Sequence, residues 1–323
     1  MSRKKTLTVT APGKMMLAGE YAVLYGHSAL VCAVDRRVKA FCDRPHKSPG
    51  RLLSLVVEEA RQLGKRININ VGEFIPDVES DQLFINGRKL GLGSSAAVSV
   101  ACTAAVMARA GVDPAELKEE IRKAAFRAHK KAQGGSGADI AASTLGGVLE
   151  YAIPGGADPS ITRIEWPEEL KTVFVWTGSS AVTHDLILRV DKVKTSDPAA
   201  HEEIMKRIGH ASSNMIRAIK DSNIKNVLSA VTEQHAAFRD LGIMAGVEIV
   251  TQDIEDIAAM ARDSGGSAKQ SGAGGGDMAV AFFDSRDAQA GFSKAVHEKG
   301  YECLDMCIDK AGVRMELEVK TVL

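Results

Sequence analysis

Lys14 and Asp139 are the two side chains whose settings point most directly to chemistry. Lys14 follows Pro12-Gly13 and precedes the apolar stretch Met15-Met16-Leu17-Ala18, a setting that suits either a surface lysine or a cation held for use. Asp139 ends Gly134-Gly135-Ser136-Gly137-Ala138-Asp139 and leads into Ile140-Ala141-Ala142-Ser143-Thr144. A carboxylate among small and apolar residues is usually paired or functional, because unpaired burial of charge is expensive; the plainer role is an N-cap. Paired with Asp139, Lys14 makes sense as a catalytic cation.

Two further glycine-bearing segments invite a ligand. In Gly91-Leu92-Gly93-Ser94-Ser95-Ala96-Ala97 the serines open a helix, whose N-terminus offers unpaired N–H groups and a partial positive charge to a phosphate. A serine hydroxyl there can also ligate Mg2+. Taken alone, the pattern also fits a helix cap or a Rossmann turn. A Rossmann turn needs a strand just before it and an acid about 20 residues on. Asn86-Gly87-Arg88-Lys89 stands before the loop, and Asp113, near that spacing, is better explained as a helix cap; no Walker A sequence occurs. The second segment, Gly272-Ala273-Gly274-Gly275-Gly276-Asp277, has four glycines in six residues, which implies positive φ angles or close approach to something bound.

Several elements must position these residues. Leu7, Val9 and Ala11 alternate as a strand that Pro12-Gly13 ends. Ala29 to Val34 and Val38 to Cys42 read as paired strands around Asp35-Arg36-Arg37, and Leu52 to Leu63 as a helix. Asn86-Gly87 after Leu83-Phe84-Ile85 marks a turn. Ser94 to Ala110, rich in alanine, is a closely packed helix. Asp113-Pro114 with Glu116 looks like the start of the next one, with Leu117, Ile121, Ala124, Ala125, Ala128 and Ala132 as its buried stripe. Character changes near Trp166-Pro167, so two lobes are expected, 1–168 and 169–323. In the second, strands at Thr172–Trp176, Met278–Phe283, Glu302–Ile308 and Arg314–Val319 alternate with helices that start at Asp197-Pro198, Ile224, Glu248 and Asp287. That mixture is an α+β pattern.

Composition removes some alternatives. The formal net charge is zero, so no global basic field argues for nucleic acid or an anionic membrane. The five cysteines are scattered without a CxxC pair, which favours buried thiols over a disulfide framework or zinc site. Met1-Ser2-Arg3-Lys4-Lys5-Thr6 is followed by an alternating segment rather than the apolar core of a signal peptide. No apolar run approaches the ~20 residues of a membrane span, so a cytoplasmic monomer or homodimer is expected.

Together the segments resemble the GHMP kinase superfamily over nearly the whole chain. Its three motifs occur in order: Ala11-Pro12-Gly13-Lys14 through Gly19-Glu20-Tyr21-Ala22-Val23-Leu24, then Gly91 to Ala97, then Ser271 to Asp277. Within it, phosphomevalonate kinases are most similar in detail. Tyr21 stands where mevalonate kinases usually show histidine, and Lys89 precedes the loop. Trp176-Thr177-Gly178 and Lys269-Gln270-Ser271 also match, and Phe126 to Gln133, with His129, lacks the metal-binding glutamate of mevalonate kinases. Tyr25-Gly26-His27-Ser28-Ala29-Leu30 reads more like a mevalonate kinase.

The resemblance implies an N-terminal lobe like domain 2 of ribosomal protein S5, a ferredoxin-like C-terminal lobe and a cleft between them. It implies ATP and Mg2+ as cofactors and 5-phosphomevalonate as the small-molecule partner. Lys89, Gly91, Leu92, Gly93, Ser94, Ser95 and Ala96 would hold the nucleotide, with Ser95 at the metal. Lys14 and Asp139 would be catalytic. Lys89, Lys269 and His184 would hold the acceptor's anionic groups, with short contacts from Ser136, Gly137, Gly272 and Ala273. The rivals are a mevalonate kinase, a catalytically silent metabolite-binding relative and, further off, a Rossmann dehydrogenase.

Overall fold

The computed structural model describes residues 2–156, 158–179 and 183–322. Its first half is built on two long antiparallel strands, β1 (Ser2–Ala18) and β2 (Ala29–Pro45). The expected stop at Pro12-Gly13 is instead a bulge. Pro12 pairs with Arg37 and Gly13 with Val34, leaving Asp35 and Arg36 as extra residues on β2. Proline gives the ladder no N–H, and the extra residues bend the pair without ending it. The two segments expected to pair around Asp35-Arg36-Arg37 are therefore one strand.

Next come α1 (Arg51–Arg66), β3 (Pro76–Glu79), β4 (Phe84–Ile85) and β5 (Arg88–Lys89). Asn86 and Gly87, both at positive φ, join the last two in a tight hairpin. Then follow α2 (Ser94–Arg109), α3 (Lys118–Gln133), α4 (Ala138–Leu145), β6 (Val148–Ala152) and β7 (Ser160–Ile164). α2 is buried almost all round, from Ala96 to Ala108. Its small side chains let it lie against β1, β2, α1, α3 and α4. α3 begins at Lys118, later than Asp113-Pro114 suggested. The Asp113 carboxylate instead accepts from Ala115 N–H at 2.9 Å within the preceding turn.

The second half runs β8 (Lys171–Trp176), α5 (Thr183–Ser196), α6 (Pro198–Lys220), α7 (Ile224–Ala245), α8 (Gln252–Asp263), β9 (Ser267–Ser271), β10 (Met278–Phe283), α9 (Arg286–Glu298) and β11 (Glu302–Leu304). Asp197 caps α6 by accepting from Ala200 N–H at 3.0 Å. The antiparallel sheet has the order β11-β8-β10-β9, the ferredoxin-like arrangement. Strand alternation divides its faces. Ala279, Ala281 and Phe283 pack with Ile254, Ile257, Phe292 and Val296 of α8 and α9. Met278, Val280 and Phe282 join the cluster that contains Val9, Val100 and Ile121, so one core crosses both lobes.

The chain ends with β12 (Arg314–Val322), which pairs antiparallel with β1 from Thr10↔Arg314 to Ser2↔Val322. The first sheet therefore has the order β12-β1-β2-β6-β7, with β3 on β2. A single cut near residue 168 does not separate the lobes, because the last strand covers the otherwise open edge of β1. Arg37 fastens this return by donating to Asp309 and to the carbonyls of Thr10 and Gly312. Among the described residues no helix is long and apolar enough to cross a membrane.

Candidate active site

Just past the bulge that Asp35 and Arg36 of β2 make opposite Pro12-Gly13, Lys14 lies against the Gly91–Ala97 loop. Lys14 N–H donates to Leu92 O at 2.9 Å. Gly93 has φ 69°, and a Cβ there would come within 2.9 Å of Lys14 Cε and 3.0 Å of Cγ. Glycine is thus needed twice over, for the left-handed backbone and for the lysine stem lying across it. α2 starts directly after Gly93, so its first-turn N–H groups open beside Lys14. No carboxylate lies within 4.0 Å of the Lys14 ammonium among the described residues.

Asp139 reaches the same place from α4. Gly137 has φ 89°, and a Cβ there would sit 2.6 Å from the Phe126 ring. Tyr151, almost wholly buried, donates to Ser136 O at 2.7 Å and fixes the loop; burial pushes its phenol up to about 12. Asp139 Oδ1 accepts from Ile140 N–H at 2.8 Å. Its Oδ2 lies 4.0 Å from His129 Nε2, which is 3.1 Å from Ser95 Oγ. Asp139 and Lys14 face one cleft with no direct ion pair between them.

The third glycine segment closes the site. Asp277 lies against Gly91, where a Cβ would be 3.0 Å from its Oδ2. Thr177, in the Trp176-Thr177-Gly178 segment, donates from its hydroxyl to Gly276 O. A cleft of about 200 Å³ results. Lys14, Ser136, Asp139, Gly272 and Ala273 line it, together with Glu20 and Tyr21.

Lys269, Lys89 and His184 were the residues expected to hold the acceptor's anionic groups. Lys269 is not a free cation in the cleft: it is wholly buried, with its ammonium 2.5 Å from Glu20 Oε1 and 2.8 Å from Gln270 O. Its position on β9 faces it toward the shared core, on the same side as Val280. Burial pushes its pKa down against the opposing pull of the Glu20 carboxylate. Lys89 is exposed on the hairpin before the loop. The side chain of His184, in the first turn of α5, lies outside the described residues.

Glu20, Tyr21 and His129 received no role from their positions in sequence. Glu20 is 4% exposed, and its Oε2 is buried without a partner. Its signal was an acid between apolar stretches. Tyr21 adopts φ 62°, uncommon outside glycine, and donates to Ala273 O at 2.6 Å. Its phenol is raised by burial and by the Glu20 carboxylate. His129 sits at the end of the buried alanine stripe of α3. Among the described residues no cluster of three or more His, Cys, Asp or Glu could hold a metal.

A family model described as GHMP kinases N terminal domain matches residues 51–147, and GHMP kinases C terminal matches residues 215–302. Together they cover more than half of the chain. A phosphomevalonate kinase of Streptomyces sp. (strain CL190) is 27% identical over 346 residues, spanning 87% of this chain and 91% of its own length. A mevalonate kinase of Thermococcus sibiricus is 27% identical over 355 residues, with 95% and 97% covered. The structure of Streptococcus pneumoniae phosphomevalonate kinase in complex with phosphomevalonate and AMPPNP has a TM-score of 0.76 at 20% identity, covering 95% of this chain and 100% of that one. With both lobes matched, two glycine segments lining the cleft and the Gly91–Ala97 loop packed against Lys14 and Asp277, the chain belongs to the GHMP kinases and has their two-lobed α+β fold.

Proposed function

We propose that this kinase transfers the γ-phosphoryl group of ATP to the phosphate of 5-phosphomevalonate, giving 5-diphosphomevalonate and ADP. The observation that carries the choice of acceptor is on α3. The side chain that α3 turns toward Ser95 and Asp139 is His129, a position free of the acid that the resemblance assigns to mevalonate kinases. The match to a phosphomevalonate kinase over most of both chains supports the same choice.

In this reading the nucleotide phosphates lie over the start of α2, taking N–H bonds from the Gly93 to Ser95 backbone, since Ala96 N–H is already given to Gly93 O at 3.0 Å. The residues fit a magnesium ion carried mainly by those phosphates, since Ser95 offers one hydroxyl and Asp139 one carboxylate. Bound there, the ion would neutralise phosphate charge. An oxygen of the acceptor phosphate bonds to the γ-phosphorus as the bond to the β-phosphate oxygen breaks, and the electron pair leaves on ADP. Phosphoryl transfer asks chiefly for alignment and charge neutralisation. Lys14, its stem laid along Gly93 and its ammonium without an ion pair among the described residues, could bridge donor and acceptor oxygens. The attacking oxygen is already anionic, so Asp139 orients the acceptor and need not remove a proton. Ser136, Gly272 and Ala273 supply the short polar walls of the acceptor side, and Lys89 supplies positive charge before the loop.

A mevalonate kinase is the second reading, favoured by the Thermococcus sibiricus relative at the same identity. There a hydroxyl proton must leave, and Asp139 would be its base. ADP release measured with 5-phosphomevalonate and with mevalonate separates the two. Turnover of mevalonate alone sinks the first reading. Nucleotide binding with no ADP release from either acceptor would point to a silent metabolite-binding relative.

A further inference from the structure

His129 occupies a position that the transfer reaction itself does not explain. It is 5% exposed on the last turns of α3. Its Nε2 lies 3.1 Å from Ser95 Oγ, on the nucleotide side, and 4.0 Å from Asp139 Oδ2, on the acceptor side. Its Nδ1 is buried and has no partner. A neutral imidazole carries one donor and one acceptor, and an ionised carboxylate only accepts. With the proton on Nδ1, a donor would be buried unpaired and the Nε2 lone pair would face the Asp139 carboxylate, two separate penalties. With the proton on Nε2, the ring donates to Ser95 Oγ and turns a positive edge toward Asp139. Only an acceptor nitrogen is then left unpaired, and that is the cheaper defect.

This tautomer has a consequence for Ser95. Its oxygen is already accepting from His129, so its own proton must point elsewhere. Among the described residues no protein acceptor takes it. The direction left open is toward the mouth of α2, where phosphate oxygens would lie.

We propose that His129 is a positioning residue, whose ring sets the Ser95 hydroxyl as a donor toward the nucleotide phosphates. This rests on the kinase reading above, in which Ser95 faces the nucleotide.

The test is a set of variants assayed for kcat, for KM of ATP and of acceptor, and for thermal midpoint. His129→Leu keeps the bulk and removes the donor; His129→Gln places an amide near Nε2. The expected result for His129→Leu is a fall in kcat of roughly 10–100-fold, the size of losing the oriented Ser95 hydrogen bond to a charged phosphate. His129→Gln should recover most of that loss at an unchanged midpoint. In a Ser95→Ala background, His129→Leu should cost less than about threefold, because the group it positions is gone. Wild-type kcat in His129→Leu overturns the proposal. So does an equal loss with and without Ser95, or a Gln variant as slow as the Leu variant.

If the wild-type chain turns over neither acceptor, the activity reading fails but this inference is still tested. The dissociation constant of a fluorescent ATP analogue should rise about tenfold in His129→Leu and not in His129→Gln. An unchanged constant would overturn it.

Discussion

Replacing Lys269 by methionine tests whether this lysine serves the substrate or the fold. Its side chain is 0% exposed and that of Glu20 3%, with 2.5 Å between ammonium and carboxylate. Methionine fills much the same space, so packing changes little. What changes is that Glu20 becomes a buried anion without a counter-charge, and its Oε2 already lacks a partner. Removing one member of a buried pair costs about 3–5 kcal/mol. Against a total stability of about 5–15 kcal/mol, that is a large fraction. At roughly 2–4 °C per kcal/mol, the midpoint should fall by on the order of 10 °C.

The second half of the cycle isolates the cause. Glu20→Gln in the Lys269→Met background removes the stranded charge while keeping an acceptor for Gly272 N–H, now 3.3 Å from Glu20 Oε1. The double variant should regain about 1–3 kcal/mol over Lys269→Met alone. Thermal and urea melts measure both, alongside KM for the acceptor. A Lys269→Met protein that melts like wild type but shows a greatly raised acceptor KM would refute the reasoning. It would mean that the lysine leaves Glu20 to hold substrate. Failure of Glu20→Gln to restore stability would show that the stranded charge is not the source of the loss.

Three further outcomes are expected. Lys14→Met should reduce kcat by at least about a hundredfold with little change in melting temperature, since its ammonium has no ion-pair partner to strand among the described residues; a rate near wild type, measured by ADP release, would remove the lysine from the mechanism. Gly93→Ala should lower kcat at least about tenfold, because the new Cβ meets Lys14 Cε at 2.9 Å and the backbone must hold φ 69°; activity and melting temperature both at wild-type level would show that the loop absorbs the methyl group. For Glu59, burial alone would raise the carboxyl, but hydrogen bonds from Lys131 at 2.8 Å and Arg127 at 2.7 Å outweigh it and hold it below its ordinary value of 4.5. A depressed folded pKa gives stability that is present above 4.5 and lost as pH falls through the folded value, so wild type should lose melting temperature more steeply than Glu59→Gln below pH 4.5; parallel curves would contradict this.

Local signals in the sequence hold where one residue decides one feature. Asn86-Gly87 makes its turn, Asp197 caps its helix, and the Ser94 helix begins where the loop ends. Signals failed where the deciding partner is far along the chain. Pro12-Gly13 looks like a strand end until Asp35 and Arg36 are seen to bulge opposite it. Arg314 to Val319 looks like a strand of the second lobe until it is found on β1, some three hundred residues away. Lys269 looks like a substrate cation because a lysine beside a glycine loop carries no mark of burial. Only the register of β9 on β10 turns it inward to Glu20. His129 was visible as a missing acid, but its contact with Ser95 depends on how α3 packs on α2.

The two sides of the cleft are tied across the lobes by different polar contacts. On the acceptor side the lobes are tied by buried or half-buried bonds. Met16 N–H donates to Ser271 Oγ at 3.1 Å, that hydroxyl donates to Met16 O at 2.9 Å, and Tyr21 donates to Ala273 O at 2.6 Å. Gly19 N–H reaches Gln234 Oε1 at 3.2 Å, and the Glu20–Lys269 pair lies beneath. Breaking several buried polar contacts together would cost about 1–3 kcal/mol for each group left unpaired. Near the nucleotide loop, the β4–β5 hairpin reaches the second lobe through an exposed bond, Arg88 to Gly178 O at 2.8 Å, worth on the order of 1 kcal/mol. Parting the lobes would also expose the core they share. The hairpin is not held by the Arg88 bond alone, because Phe84 and Ile85 pack on the same core, and Leu83 and Leu90 on either side of it are almost wholly buried.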